Sequence, residues 1–277
     1  MSSYLPHMNP LSAYLQRIGY DRPVSAGLAT LSSLHRAHLM RIPYENLDIH
    51  FGRRLSLDPT VIFDKLVTAK RGGWCYEMNG LFAWVLREVG FKVTLLAGTV
   101  GRQAGRKASE GNHLVLLVTG GSLDQPYLAD VGFGNGFLDP LPLKAAVYKQ
   151  SFLSYSLSHD NGRWLFQNHA DSGDGFDFTL EGHLLADFAE RCDWLQSSPE
   201  SSFVQLTVCH RFMPEGIITL RGCVLRRLTA TGVSEDMIED KAAYQETLED
   251  QFDLHLSDME LLWQKVWQNH VAWMSQQ

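Results

Sequence analysis

Arg71-Gly72-Gly73-Trp74-Cys75-Tyr76-Glu77-Met78-Asn79 reads as a tight turn running into an amphipathic helix. After it, Met78, Leu81, Phe82, Val85, Leu86 and Val89 recur at helical spacing, and Gly90 supplies a stop. Two glycines permit the turn, and the spacing puts Cys75 in the first turn of a helix whose apolar stripe faces a core. A thiol there feels the positive end of the helix dipole, which favours the thiolate, so a nucleophile ionised at neutral pH is expected. Backbone N–H groups of the same turn could hold an oxyanion. A cysteine is by default a small buried apolar side chain, and Cys192, Cys209 and Cys223 are read that way. The Gly-Gly turn and the helix start set Cys75 apart.

Working outward, residues 1–89 read as helical. Pro10 to Ile18 is amphipathic with Ser12 as a cap candidate, Gly27 to Met40 carries Leu28, Leu31, Leu34 and Leu39, and Asp58-Pro59 opens a third helix. From 90 to 200 the period shortens. Phe91–Ala97, His113–Val118, Tyr127–Val131 and Arg163–Phe166 look like short strands between Gly, Asp, Asn and Ser clusters, which suggests an antiparallel barrel or curled sheet. In 201–277, Val204–Val208 and Gly216–Leu220 read as strands and Leu261–Trp273 as a terminal helix. The fold class is therefore α+β, in three closely packed zones without repeats or linkers.

His113 opens one strand and Asp130 ends the next. Opposite residues in a hairpin share a constant index sum, and this pair is centred between Gly121 and Ser122, inside the connecting loop. They should lie across from one another with Cβ atoms about 5 Å apart, unless the register slips. An acid inside the apolar run Tyr127–Phe133 also needs a partner. Taken singly, His113 could be a strand-end histidine and Asp130 a turn former. With Cys75 they make a complete set of nucleophile, base and orienting acid, the set that acyl transfer requires.

Hydrophobic content of 45% and a net charge of −7 without a basic run fit a globular enzyme of small molecules and argue against nucleic acid. No basic, apolar leader and no apolar run long enough to span a bilayer is evident, so no membrane association is expected. Scattered cysteines point to a reducing cytoplasm. His35 and His38 are spaced as a metal pair could be, but no third ligand completes a site, so no metal is expected and both are read as a solvated helix face. Cys209-His210 lies in a strand pattern, where neighbouring side chains oppose each other, and cannot be a nucleophile–base pair. Gly132-Phe-Gly-Asn-Gly136 lacks the following helix of a phosphate loop, and the acidic run Ser234–Asp250 reads as solvated surface.

The stretch Arg71–Asn79 resembles the Arg-Gly-Gly-aromatic-Cys-aromatic-Glu-x-Asn signature of the arylamine N-acetyltransferases. Tyr14–Tyr20, Ile42-Pro-Tyr-Glu-Asn-Leu-Asp48, Asp130-Val-Gly-Phe-Gly134 and Ser202–Gly222 are similar to further family segments, in the expected order. The resemblance implies an N-terminal helical bundle (1–89), a central antiparallel β-barrel (90–200) and a C-terminal α/β lid (201–277), related to papain-like cysteine enzymes. It implies ping-pong transfer from acetyl-CoA, as co-substrate with no tightly bound cofactor, to an arylamine, arylhydrazine or arylhydroxylamine. By matched position, Arg17 and Glu45 would form a buried pair supporting the site together with Arg71. Tyr44 and Phe133 would line the acceptor pocket, and Gly132 and Gly134 would lie on the loop beside the CoA cleft. Tyr44 stands where the family usually has Phe, and Met78 where it often has Gln. The same residues would serve an amide synthase acting on a larger carrier-bound acyl chain, or a thiol hydrolase; an intact triad argues against a merely binding protein. A monomer or homodimer is expected.

Overall fold

Asn9 accepts the Leu11 N–H and opens the first helix, α1 (Pro10–Arg17), so the cap lies three residues before Ser12. The computed structural model describes residues 9–274 apart from 103, 104, 106, 107 and 174. Helix α2 (Leu28–Arg41) follows, then a two-residue strand, β1 (Tyr44–Glu45), and a short helix, α3 (Leu47–His50). Asp58 accepts the Thr60 N–H and starts α4 (Pro59–Phe63), which widens into a π turn over Asp64–Thr68. Helix α5 (Cys75–Val89) then carries the Met78–Val89 stripe into the main core.

The second zone is a curled antiparallel sheet. Its strands are β2 (Lys92–Val100), β3 (His113–Thr119), β4 (Tyr127–Ala129), β5 (Leu141–Pro142), β6 (Ala146–Gln150), β7 (Leu153–Asp160), β8 (Arg163–Gln167) and β9 (Phe176–His183), in the order β5-β4-β3-β2-β9-β8-β7-β6. The outer strands β5 and β6 are neighbours in the chain, and Tyr148 donates to the Pro142 and Lys144 carbonyls, so the barrel is nearly closed. Its interior and α5 share one core, rich in aromatic rings such as Phe82, Phe137, Phe166 and Phe176.

A connecting helix, α6 (Ala189–Ser197), and a short one, α7 (Ser202–Gln205), lead to a second sheet: β10 (Val208–Met213), β11 (Gly216–Arg221), β12 (Val224–Thr229) and β13 (Gly232–Met237). The strand expected over Val204–Val208 therefore starts only at Val208: Val204 and Gln205 end a helical turn that Ser201 caps by accepting the Phe203 N–H. Helices α8 (Lys241–Phe252) and α9 (Met259–Met274) pack on this sheet around Tyr244, Leu248, Phe252 and Leu262. The acidic run thus splits into an exposed edge strand and a helix with one buried face. Strand β1 joins the second sheet beside β10, with Tyr44 opposite His210 and Glu45 opposite Cys209, and its other edge pairs with Gly73. One dipeptide therefore ties the turn before Cys75 to the C-terminal sheet.

Candidate active site

The turn before Cys75 is held flat against β1. Glu45 N–H donates to the Gly73 carbonyl at 2.9 Å, and a Cβ on Gly72 would lie 2.2 Å from the Pro43 carbonyl oxygen. Glu45 passes over Gly72 and meets Arg71 at 2.7 Å, while its other oxygen accepts the Leu47 N–H. Arg71 also reaches Asp48 at 3.1 Å. Lys65, on the π turn, bridges Asp48 at 3.0 Å and Glu77 at 2.9 Å. Burial alone would strip the Lys65 charge, but Glu77, Glu45 and Asp48 hold its ammonium above the ordinary lysine range. Glu77 in turn accepts the Trp74 N–H and caps the helix that begins with Cys75.

Arg17 does not pair with Glu45, as the resemblance implied. It donates to the carbonyls of Leu66, Arg41 and Lys70 at 3.0–3.2 Å and faces Asp253 at 3.7 Å. The pleat of β1 directs Glu45 across Gly72, so Arg71 is its neighbour; Arg17 instead ties α1 to the chain entering the turn.

His113 and Asp130 meet: Nε2 lies 2.7 Å from Oδ2, both side chains buried. The register differs from the one read in the sequence. Leu116 faces Ala129 and Leu117 faces Leu128, a shift of two that keeps both residues on the same face, so the pair is diagonal rather than directly opposite. The other carboxylate oxygen accepts two donors, Asn79 Nδ2 at 2.8 Å and Gly132 N–H at 2.9 Å. Asn79 also donates to the Leu114 carbonyl and accepts the Val131 N–H, joining α5 to both strands of the hairpin. His35 completes the surroundings. Its Nε2 accepts the Asp130 N–H at 3.0 Å, and its Nδ1 bonds the Leu138 carbonyl at 2.9 Å.

The reading of His35 and His38 as solvated is therefore wrong. Both are fully buried, His38 between Tyr14 and the Met78 sulfur, because positions 31, 34, 35 and 38 form the core stripe of α2. That spacing was available in the sequence. So was Asn79, one turn after Cys75 on its buried face, although it carried no charge to draw attention.

A cleft of about 700 Å³ opens onto the site. Cys75, His113, Tyr44, Gly132 and Phe133 line it, with Arg191, Trp194, Ser202 and Phe203 from α6 and α7. Gly132 presses on Cys75, since a Cβ there would lie 2.7 Å from the Cys75 Cα. Gly134 does not line the cleft; it backs onto His210, whose ring also meets Tyr44 at 5.6 Å. Burial carries the His210 ring down to about 3. Burial likewise pushes the Cys75 thiol up, and the Asp130 carboxylate adds to this, while backbone hydrogen bonds from Leu114 and Tyr76 pull it down. Enclosure thus works against the charge that the helix start favours, and His113 is the neighbouring group that can take the proton. Among the described residues, no group of three or more His, Cys, Asp or Glu is arranged to hold a metal.

A family model described as N-acetyltransferase matches residues 27–261. The chain belongs to the arylamine N-acetyltransferase family, and it is an acyltransferase. It is 33% identical over 266 residues to arylamine N-acetyltransferase 2 of Mesocricetus auratus, covering 87% of this chain and 91% of that protein. Among solved structures, the Mycobacterium marinum arylamine N-acetyltransferase in complex with CoA superposes with a TM-score of 0.86 at 30% identity, covering 92% of this chain and 98% of that one. The Salmonella typhimurium arylamine N-acetyltransferase gives 0.86 at 30% identity over 95% and 100%. Within the described residues of this acyltransferase, no helix is long and apolar enough to cross a membrane.

Proposed function

We propose that the chain moves an acetyl group from acetyl-CoA to an arylamine, arylhydrazine or arylhydroxylamine through a thioester on Cys75. The observation that carries this is the His113–Asp130 bond of 2.7 Å at the wall of a cleft that Cys75 also lines. With Nε2 engaged by Asp130, Nδ1 makes no other hydrogen bond among the described residues and is free to take the thiol proton. The sulfur then attacks the thioester carbonyl, and CoA departs as a thiol carrying the proton from His113. The amine attacks the Cys75 thioester next, its proton passes to His113, and Cys75 recovers it as the acyl amide leaves. Asp130 holds the ring in the tautomer that leaves Nδ1 bare and supports its positive charge in between.

A cleft of about 700 Å³ falls within the range of small-molecule sites. Tyr44, Phe133, Trp194 and Phe203 offer flat walls for an aromatic acceptor. The CoA complex of the M. marinum relative supports a CoA thioester as donor. Four free, buried cysteines suit a reducing compartment such as the cytoplasm. Mass spectrometry after mixing the protein with acetyl-CoA alone tests the reading. An acetyl adduct on Cys75 is expected, and Cys75→Ser should abolish it. No adduct on the wild type would remove acetyl-CoA as donor and favour a larger, carrier-borne acyl chain.

A further inference from the structure

His35 is not accounted for by the triad chemistry, yet it is fully buried and bonded to the triad segment at two points. Its two partners are 8 residues apart in the chain, the Asp130 N–H and the Leu138 carbonyl. Between them runs Asp130-Val-Gly-Phe-Gly-Asn-Gly-Phe-Leu138, which has no regular structure. That segment supplies the triad acid, the glycine pressed on Cys75 and the Phe133 wall of the cleft. Three glycines give it little stiffness of its own. The Phe137 ring stacks on the His35 imidazole at 5.7 Å, nearly parallel, and fixes its plane.

We infer that His35 is the positioning residue of the triad acid, a neutral imidazole that staples both ends of the 130–138 segment and holds the Asp130 backbone in register with His113. The inference rests on the catalytic reading of Cys75, His113 and Asp130. Its chemistry follows from the partners. A backbone N–H can only donate, so Nε2 must be bare; a backbone carbonyl can only accept, so Nδ1 must carry the hydrogen. Only one of the three protonation states of the ring satisfies both. Burial suits that state, drawing the ring down to about 4, against the pull of Asp130 and Asp139.

Two substitutions separate the bonds. In His35→Gln the side-chain oxygen can sit near the Nε2 position and still accept the Asp130 N–H. In His35→Asn the amide nitrogen can sit near Nδ1 and still donate to Leu138, leaving the Asp130 N–H buried and unpaired. H35N should lower kcat/KM for acetyl transfer about tenfold or more through kcat, with KM within about twofold. H35Q should recover most of that loss. The wild type, assayed for the Cys75 adduct in parallel, shows whether the catalytic reading itself stands. Equal activity in H35N and wild type, or equal losses in H35N and H35Q that track melting temperature alone, would overturn the assignment.

If H35N does not fold, the wild type still decides the matter. Nitrogen-15 NMR of the histidine rings, with the His35 signal identified by its loss in H35Q, should show a neutral ring protonated on Nδ1 at pH 7. A ring protonated on Nε2, or on both nitrogens, would refute the staple whether or not Cys75 accepts acetyl groups.

Discussion

Asp130→Asn removes one charge and almost no volume, and the hydrogen bonds around the carboxylate dictate how the amide must sit. The Oδ1 oxygen accepts from both Asn79 and Gly132, at 2.8 and 2.9 Å, and neither donor has another use for its hydrogen there. An amide nitrogen in that place would face two donors, so the NH2 group is forced to the Oδ2 position, 2.7 Å from His113 Nε2. There it donates, and Nε2 must accept. The neutral ring then carries its hydrogen on Nδ1, the nitrogen that has to take the Cys75 proton. The base is blocked without being displaced. In a serine enzyme with the same constellation, this tautomer switch lowers kcat about 10⁴-fold, and a loss of about 10³–10⁴-fold in Cys75 acylation is expected here. Rapid-quench mass spectrometry of thioester formation measures it, and a melting temperature within a few degrees of the wild type shows that the site is otherwise intact. Acylation of D130N within about tenfold of wild type would refute the assignment of Asp130 as the group that selects the tautomer.

Gly132→Ala places a methyl group 2.7 Å from both the Cys75 Cα and Asn79 Nδ2, so thioester formation should fall about 100-fold; wild-type rates would contradict that packing. Glu45→Gln leaves the Arg71 guanidinium, itself only 11% exposed, with Asp48 as its remaining acid, and should destabilise the protein by about 1–3 kcal/mol, read as a lower urea midpoint. An unchanged midpoint would mean that the ion network contributes nothing. Acid should also weaken the fold. The unfolded chain protonates its histidines near 6.5, whereas His35 and His210 stay neutral until about 4 and about 3. The unfolded state therefore binds more protons across that window. Stability is full above pH 6.5 and falls as pH drops from there towards 4, by up to about 1.4 kcal/mol per unit for each ring. Urea midpoints at pH 7, 6 and 5 check it, and a flat series would count against both rings being buried neutral.

Much of this site could be read from the chain because its parts are local. The Gly-Gly turn, the helix stripe and the 113/130 hairpin each depend on spacing within about 20 residues, and a register shift of two left His113 and Asp130 on a common face. What escaped was set by contacts across elements. Whether Glu45 turns to Arg17 or Arg71 depends on β1 lying beside Gly73, a pairing between segments 29 residues apart. The burial of Cys75 depends on the barrel closing over it, and this opposes the charge preference that its helix start suggests. The burial of His35 is hidden for a different reason. A histidine on a helix stripe looks like a solvated residue by its type, and only the Phe82 and Phe137 rings packed around it make it core.

The pairing of β1 has a mechanical consequence. Tyr44 and Glu45 are gripped on one edge by the turn that presents the sulfur and on the other by the first long strand of the C-terminal sheet. A swing of that sheet as a rigid flap would have to peel this dipeptide from one side or the other, tearing the cleft wall at Tyr44 or the turn that carries Cys75. An opening of the cleft that spares this dipeptide would have to come from its other walls, such as Trp194 and Phe203. A chain cut at residue 200 would leave Tyr44 and Glu45 without their partners on β10 and the turn before Cys75 braced on one side fewer.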